Sequence, residues 1–278
     1  MHPSGPRVPV RGYPRNWLTE RPEDEIVITR KARSRGFMIS YDDVGGGPVI
    51  VLIPGGTMSA GDWRDAGYVD QLSTSHRVVS VDPLGLGQSD KPHDPAVYRL
   101  PDIATDIVAV MDAAKVDRAV LWGYSYGASV AGAVAVHYPD RVSGVIFHDG
   151  LPGVAADNAP DLDAEALMQG DWSRLWDGPS FTFSEADRHY DQAFNDPRAI
   201  GAMWLGERRS GSTADLARVS APSLVMKGRQ VGAPVVAESV DKLRVQVEFL
   251  PDCDHLEAFS RLDLVMPIVF GFLGPRGL

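Results

Sequence analysis

Cysteine is almost absent from this chain, with one residue, Cys253, among 278. An intrachain disulfide is therefore excluded. The C-x-x-C spacing of zinc and redox sites is missing, and so is H-E-x-x-H, which argues against a built-in metal. A chain of this length can bury enough apolar surface to fold without such staples. Positive charge is also in short supply: 27 Lys and Arg face 37 Asp and Glu, a formal net charge of −10. That balance disfavours nucleic acid and anionic membranes as partners. No apolar run approaches the ~20 residues of a membrane span. The opening MHPSGPRVPVRGYPRNW lacks the apolar core of a signal peptide. The expectation is a soluble, cytoplasmic protein with neither nucleic-acid nor membrane partners; a homodimer is left open.

What is present suits a globular domain: 44% hydrophobic and 23% charged residues. Residues 1–24 are rich in Pro and Arg, lack periodicity, and read as an extended arm. Candidate strands follow at 25–32, 37–44, 49–55 and 77–83. The run VIVLI has the continuous apolar character of a strand covered on both faces. PDIATDIVAVMDAAKV (101–116) has helical spacing with a proline near its start. A strand at 119–123, a small-residue helix at 128–138 and a strand at 143–150 complete a β-α-β alternation, which implies a largely parallel sheet. The character changes over 151–219, where polar helical pieces carry Trp172, Trp176, Phe181, Phe183, Tyr190, Phe194 and Trp204. This segment reads as a small helical cap inserted between core segments 25–150 and 220–278. The last segment holds strands at 222–228 and 245–251, a short helix near 235–243 and a helix over 260–273.

The chemistry sits in AVLWGYSYGASVA (119–131). There Gly123-Tyr124-Ser125-Tyr126-Gly127 forms G-x-S-x-G between a strand and a helix. A tight turn at that place lifts a serine hydroxyl above the sheet edge, and the glycines leave room for strand and helix to approach. Chance occurrence in a Gly-rich loop is the bland alternative, and the flanking elements favour the nucleophile. A serine needs a base. Of seven histidines, His255 follows a late strand in LPDCDHLEAF, in the chain order this arrangement requires. His148, at a strand end beside Asp149, is the rival and equally suits a structural role. An oxyanion hole needs two N–H donors. The residue after the nucleophile, Tyr126, and Gly56 in the loop IPGGTM after a buried strand are the candidates; a plain glycine turn is the alternative for the latter.

With these residues in place, the chain resembles the α/β-hydrolase superfamily from about residue 25 to 273, through IPGGTM, VDPLGLGQSDKP, WGYSYGAS, HYPDRVSGVIFHDG and LPDCDH. The resemblance implies an α/β-hydrolase fold, a mostly parallel sheet flanked by helices with an inserted cap, and hydrolase activity that requires no cofactor. Two departures stand out. Pro54-Gly55 replaces the family's usual His-Gly before the oxyanion residue. In LVMKGRQVGAP (224–234), where many members carry the catalytic acid, there is no Asp or Glu before Glu238. Some members carry the acid one strand earlier, and here that position is Asp149. Glu238 is the reserve, and a Ser–His dyad with Asp149 as a mere loop cap is the bland alternative. The fungal zearalenone lactonases are similar in the nucleophile region and share the acid-free late loop.

The resemblance thus implies a triad of Ser125, His255 and Asp149, an oxyanion hole at Gly56 and Tyr126, and a small-molecule ester or lactone as substrate. The cap aromatics suggest an apolar or aromatic pocket, although each alone more often serves packing. Carbon–carbon hydrolysis and perhydrolysis run on the same triad. A non-catalytic ligand receptor is the reading from another class, and a complete Ser–His–Asp set weighs against it. Ser125 at the elbow also argues against the aspartate nucleophile of epoxide hydrolases and haloalkane dehalogenases.

Overall fold

A computed structural model of the chain describes residues 29–150, 161–178, 183–209, 218–228 and 245–278. The arm at 1–24, the beginning of the strand expected at 25–32, Phe181, Glu238 and the helix expected near 235–243 lie outside the described residues.

The described strands are β1 (Arg30–Ser34), β2 (Phe37–Gly45), β3 (Val49–Ile53), β4 (Arg77–Asp82), β5 (Ala119–Tyr124), β6 (Val142–His148), β7 (Ser223–Gly228) and β8 (Val245–Leu250). They form one sheet in the order β1-β2-β4-β3-β5-β6-β7-β8. β2 runs antiparallel to both neighbours, and the other pairings are parallel. The crossovers are helical: α1 (Ala60–Asp65) and α2 (Tyr68–Ser73) between β3 and β4, α3 (Leu100–Ala113) before β5, and α4 (Tyr126–His137) between β5 and β6. Between β6 and β7 the described residues hold four helices and no strand: α5 (Leu162–Met168), α6 (Ser173–Asp177), α7 (Glu185–Phe194) and α8 (Pro197–Arg209). After β8 come α9 (His255–Ser260) and α10 (Leu262–Leu273). Among the described residues no helix is long and apolar enough to cross a membrane.

The period of two along the central strands builds two cores. Val51, Ile53, Leu121, Val145 and Phe147 point to the face covered by α3 and α4. Ile50, Leu52, Val120, Trp122 and Ile146 point to the other face, with Trp63, Tyr68, Phe259 and Phe272. On that second face Trp63 lies edge-on to Tyr68, Trp122 and Phe259, with ring centroids 5.1, 5.3 and 4.9 Å apart. Such pairs contribute roughly 0.5–1.5 kcal/mol each beyond area burial. The cluster fixes α9, which carries Phe259.

The helix expected at 260–273 is present as α10, and a further short helix, α9, which was not expected from the sequence, precedes it with the break at Arg261. α9 starts at His255 because Asp254 accepts the Glu257 N–H while the Glu257 carboxylate accepts the Asp254 N–H. The sequence signal for this capping box is D-x-x-E at 254–257, which the expectations from sequence did not include.

Candidate active site

β5 and β6 pair in parallel, with Gly123 opposite Phe147 and Tyr124 opposite His148. The chain leaves both strands at the same sheet edge, and the next residues are Ser125 and Asp149. Each adopts a left-handed backbone conformation, φ 52° for Ser125 and 47° for Asp149. For a residue with a side chain this costs on the order of 1–3 kcal/mol, held by the surrounding structure. The hold is visible: Ser125 N–H donates to His148 O at 2.9 Å and Asp149 N–H to Met226 O at 2.8 Å. The turn also demands its glycines. A Cβ on Gly123 would lie 2.0 Å from Gly127 O, and one on Gly127 would lie 2.1 Å from Ile53 O.

The structure brings Ser125, His255 and Asp149 together. Ser125 Oγ is 3.0 Å from His255 Nε2, and His255 Nδ1 is 2.7 Å from Asp149 Oδ2. A carboxylate can only accept, so Nδ1–H donates to Asp149 and Nε2 accepts from the serine hydroxyl. The other carboxylate oxygen, Oδ1, accepts from Gly228 N–H at 3.1 Å and lies 2.9 Å from Lys227 Nζ. Burial works to raise the Asp149 carboxyl, but the hydrogen bond from His255, the charge that ring carries once protonated, and the charge and hydrogen bond of Lys227 outweigh it. The carboxyl is held below its ordinary value.

His148 takes no part in this relay. Its ring is fully buried, Nε2 donates to Ala258 O at 3.1 Å, and Nδ1 has no hydrogen-bond partner among the described residues. Burial drives its imidazole down to about 4, so it is neutral near pH 7. Neither tyrosine phenol beside Ser125 points to open solvent. Tyr124 OH donates to His255 O at 2.6 Å. Tyr126 OH is buried without a partner among the described residues, and burial pushes it well above the usual phenol range.

Tyr126 is the first residue of α4, so its N–H has no acceptor within the helix. Gly56 follows β3 on the far side of Ser125, and both residues line the same cavity as the serine. The cavity has a volume of ≈ 370 Å³. Its apolar wall comes from Met58, Leu175, Phe183 and Trp204. Trp204 packs over the loop after β3 so closely that a Cβ on Gly56 would lie 2.8 Å from the indole nitrogen. Of the other aromatics between β6 and β7, Trp172 and Trp176 stack on each other at 5.4 Å. Tyr190 OH donates to Asp62 at 3.1 Å. Trp176 Nε1 donates to Asp191 Oδ2 at 3.0 Å, so these side chains tie α6 to α7 and α7 to α1. Among the described residues no cluster of His, Cys, Asp and Glu could hold a metal ion. Sequence reasoning missed Lys227 as a neighbour of Asp149 and Tyr124 as a neighbour of His255. The signal for Lys227 was its place at the end of the strand that follows Asp149 in the sheet.

A family model described as the alpha/beta hydrolase fold matches residues 48–230. The chain is 32% identical over 147 residues to 2-hydroxymuconate semialdehyde hydrolase of Pseudomonas sp. (strain CF600), covering 51% of this chain and 50% of that protein. It is 30% identical over 111 residues to zearalenone hydrolase of Bionectria ochroleuca, covering 39% of this chain and 42% of that protein. The chain thus spans about half the length of the curated relatives it matches. Among solved structures, the enol-lactonase from Burkholderia xenovorans LB400 superposes with a TM-score of 0.74 at 22% identity, over 88% of this chain and 100% of that one. At that identity the likeness speaks for the fold alone.

Proposed function

The chain belongs to the alpha/beta hydrolase family, and from that premise we propose that it cleaves a carboxylic ester or lactone of a small apolar or aromatic molecule through an acyl-enzyme. The observation that carries this reading is the relay of 3.0 Å and 2.7 Å from Ser125 through His255 to Asp149, opening on a cavity with an apolar wall of Met58, Leu175, Phe183 and Trp204 that also carries the acids Asp161, Asp187 and Glu207. Ser125 Oγ attacks the carbonyl carbon while its proton passes to His255 Nε2. The oxyanion receives the N–H groups of Gly56 and Tyr126, which are directed by backbone and need no reorganisation. Collapse expels the alkoxide, which takes the proton from His255. Water then attacks the acyl-serine by the same route, regenerating Ser125 and releasing the acid. Asp149 holds the imidazole in the tautomer that leaves Nε2 as acceptor and stabilises the imidazolium as it forms.

Carbon–carbon bond hydrolysis is the second reading, supported by the similarity to 2-hydroxymuconate semialdehyde hydrolase. An alkyl-enzyme of the aspartate type is disfavoured, because Ser125 stands at the elbow. The test is fluorophosphonate labelling followed by intact mass and peptide mapping, then a panel of aryl esters and lactones. One adduct on Ser125 with turnover of panel members is the expected result. A well-folded protein that takes no adduct would overturn the reading and favour a ligand receptor.

A further inference from the structure

We infer that Lys227 is the counter-ion of the relay, a positioning residue whose charge keeps Asp149 ionised while His255 is neutral. This deepens the hydrolase reading and rests on its assignment of Ser125, His255 and Asp149.

The Asp149 side chain is 1% exposed and that of Lys227 is 13% exposed. A buried carboxylate facing a neutral imidazole and one amide would hold an unbalanced negative charge, which is costly away from water. The pair would relieve that cost by taking up a proton, and the imidazole would rest as imidazolium. Its Nε2 would then carry a hydrogen and could not accept the serine proton. An ammonium 2.9 Å from Oδ1 removes the imbalance. At rest the group then sums to zero: Asp149 negative, Lys227 positive, His255 neutral. The two carboxylate oxygens are also divided between tasks. Oδ2 serves His255, while Oδ1 is taken by Lys227 and Gly228.

Topology explains why the cation comes from this place. β6 and β7 are parallel neighbours with His148 opposite Met226, so the residues after Met226 lie beside Asp149. The end of β7 lacks an acid, and what it offers is Lys227 and a backbone donor to the acid carried by β6. The charged and titratable groups facing Asp149 among the described residues are His255 from α9, Lys227 from β7 and His148 on its own strand. His148 is neutral near pH 7. That leaves Lys227 as the permanent positive charge in this group.

A lysine that merely pins a strand end would lower activity equally at every pH. A counter-ion acts on proton occupancy. The test uses the full chain with isotope-labelled histidine, the His255 resonance being assigned with His255→Gln. In Lys227→Met the midpoint of the His255 titration should rise by about one pH unit or more, and Lys227→Arg should restore it. Lys227→Gln, which keeps a polar side chain at the position, serves if the methionine variant folds poorly. Fluorophosphonate labelling of Ser125 should fall about tenfold at pH 6.5 in the neutral variants and approach the wild-type rate near pH 9. An unmoved midpoint in both neutral variants would overturn the inference, as would a rate loss of equal size at all pH values. Labelled wild type with an unmoved midpoint sinks the role of Lys227 alone. A moved midpoint in a protein whose Ser125 takes no label upholds the counter-ion and sinks the hydrolase reading.

Discussion

The hydroxyl of Tyr124 donates to the backbone carbonyl of His255 at 2.6 Å, and the two rings stack with centroids 5.2 Å apart. The residue before Ser125 thus grips the residue that would serve as its base. Two further donors reach the same short helix: His148 Nε2 to Ala258 O and Tyr68 OH to Phe259 O at 2.7 Å. A six-residue helix is marginal by itself. Its position depends on these side chains from β5, β6 and α2.

Tyr124→Phe keeps the ring and removes one tether. A hydrogen bond of this kind contributes on the order of 1 kcal/mol. If it serves to place His255, kcat should fall roughly fivefold with KM little changed. Steady-state kinetics on any turned-over ester decides this, and an unchanged kcat would show that the other tethers suffice.

Asp149→Asn preserves shape but not charge. The amide can present its NH₂ to Nδ1 and so favour the wrong tautomer, with a loss in kcat of up to ~10⁴. The variant also leaves the Lys227 ammonium without its buried partner, so the melting temperature should drop too. Kinetics and a thermal melt on one preparation separate the two effects. Activity within tenfold of wild type would remove Asp149 from the relay.

At Ser125 the usual order of stability should invert. With φ at 52°, alanine inherits the backbone strain and glycine relieves it. Ser125→Gly should therefore be more stable than Ser125→Ala by roughly 1 kcal/mol, and neither should take a fluorophosphonate adduct. Denaturant titration of both variants provides the comparison. A more stable alanine variant would mean the elbow is not strained.

The acid side of the stability profile should carry a signature of His148. Its folded value of about 4 lies below the ordinary 6.5, so between those limits the unfolded chain binds more protons. Stability from this group is full above pH 6.5 and is lost as pH falls toward 4, by about 3 kcal/mol at most. Asp82 runs the other way. Burial raises its carboxyl to about 6, so the folded state binds more protons between 3.8 and 6, and stability falls as pH rises across that window. The wild-type curve mixes both slopes, so the measurement is a difference. The stability of wild type relative to His148→Gln should decline as pH falls from 6.5 to 4, and parallel curves would contradict the assignment.

The sequence by itself determined what depends on near neighbours. VIVLI reads as a doubly covered strand because five consecutive apolar residues have nowhere else to go. The elbow is legible in Gly123 to Gly127 because strand, turn and helix are consecutive and Gly123 meets Gly127 within that unit, although the backbone that crowds Gly127 is Ile53 of β3. The capping box at 254–257 is local in the same way. Asp149 entered by resemblance and not by pattern, since nothing in VIFHDG says which histidine it faces.

Tertiary structure decided the rest. His255 and Ser125 are 130 positions apart, and His255 and Asp149 are 106 apart. Gly228 and Asp149 are separated by 79. The parallel register of β5, β6 and β7 sets these residues side by side. Lys227 therefore meets the acid, and Trp204 covers Gly56, through chain folding that no local pattern encodes. Partners of a buried charge are chosen by which strand ends become neighbours, and that choice exists only once the sheet has formed.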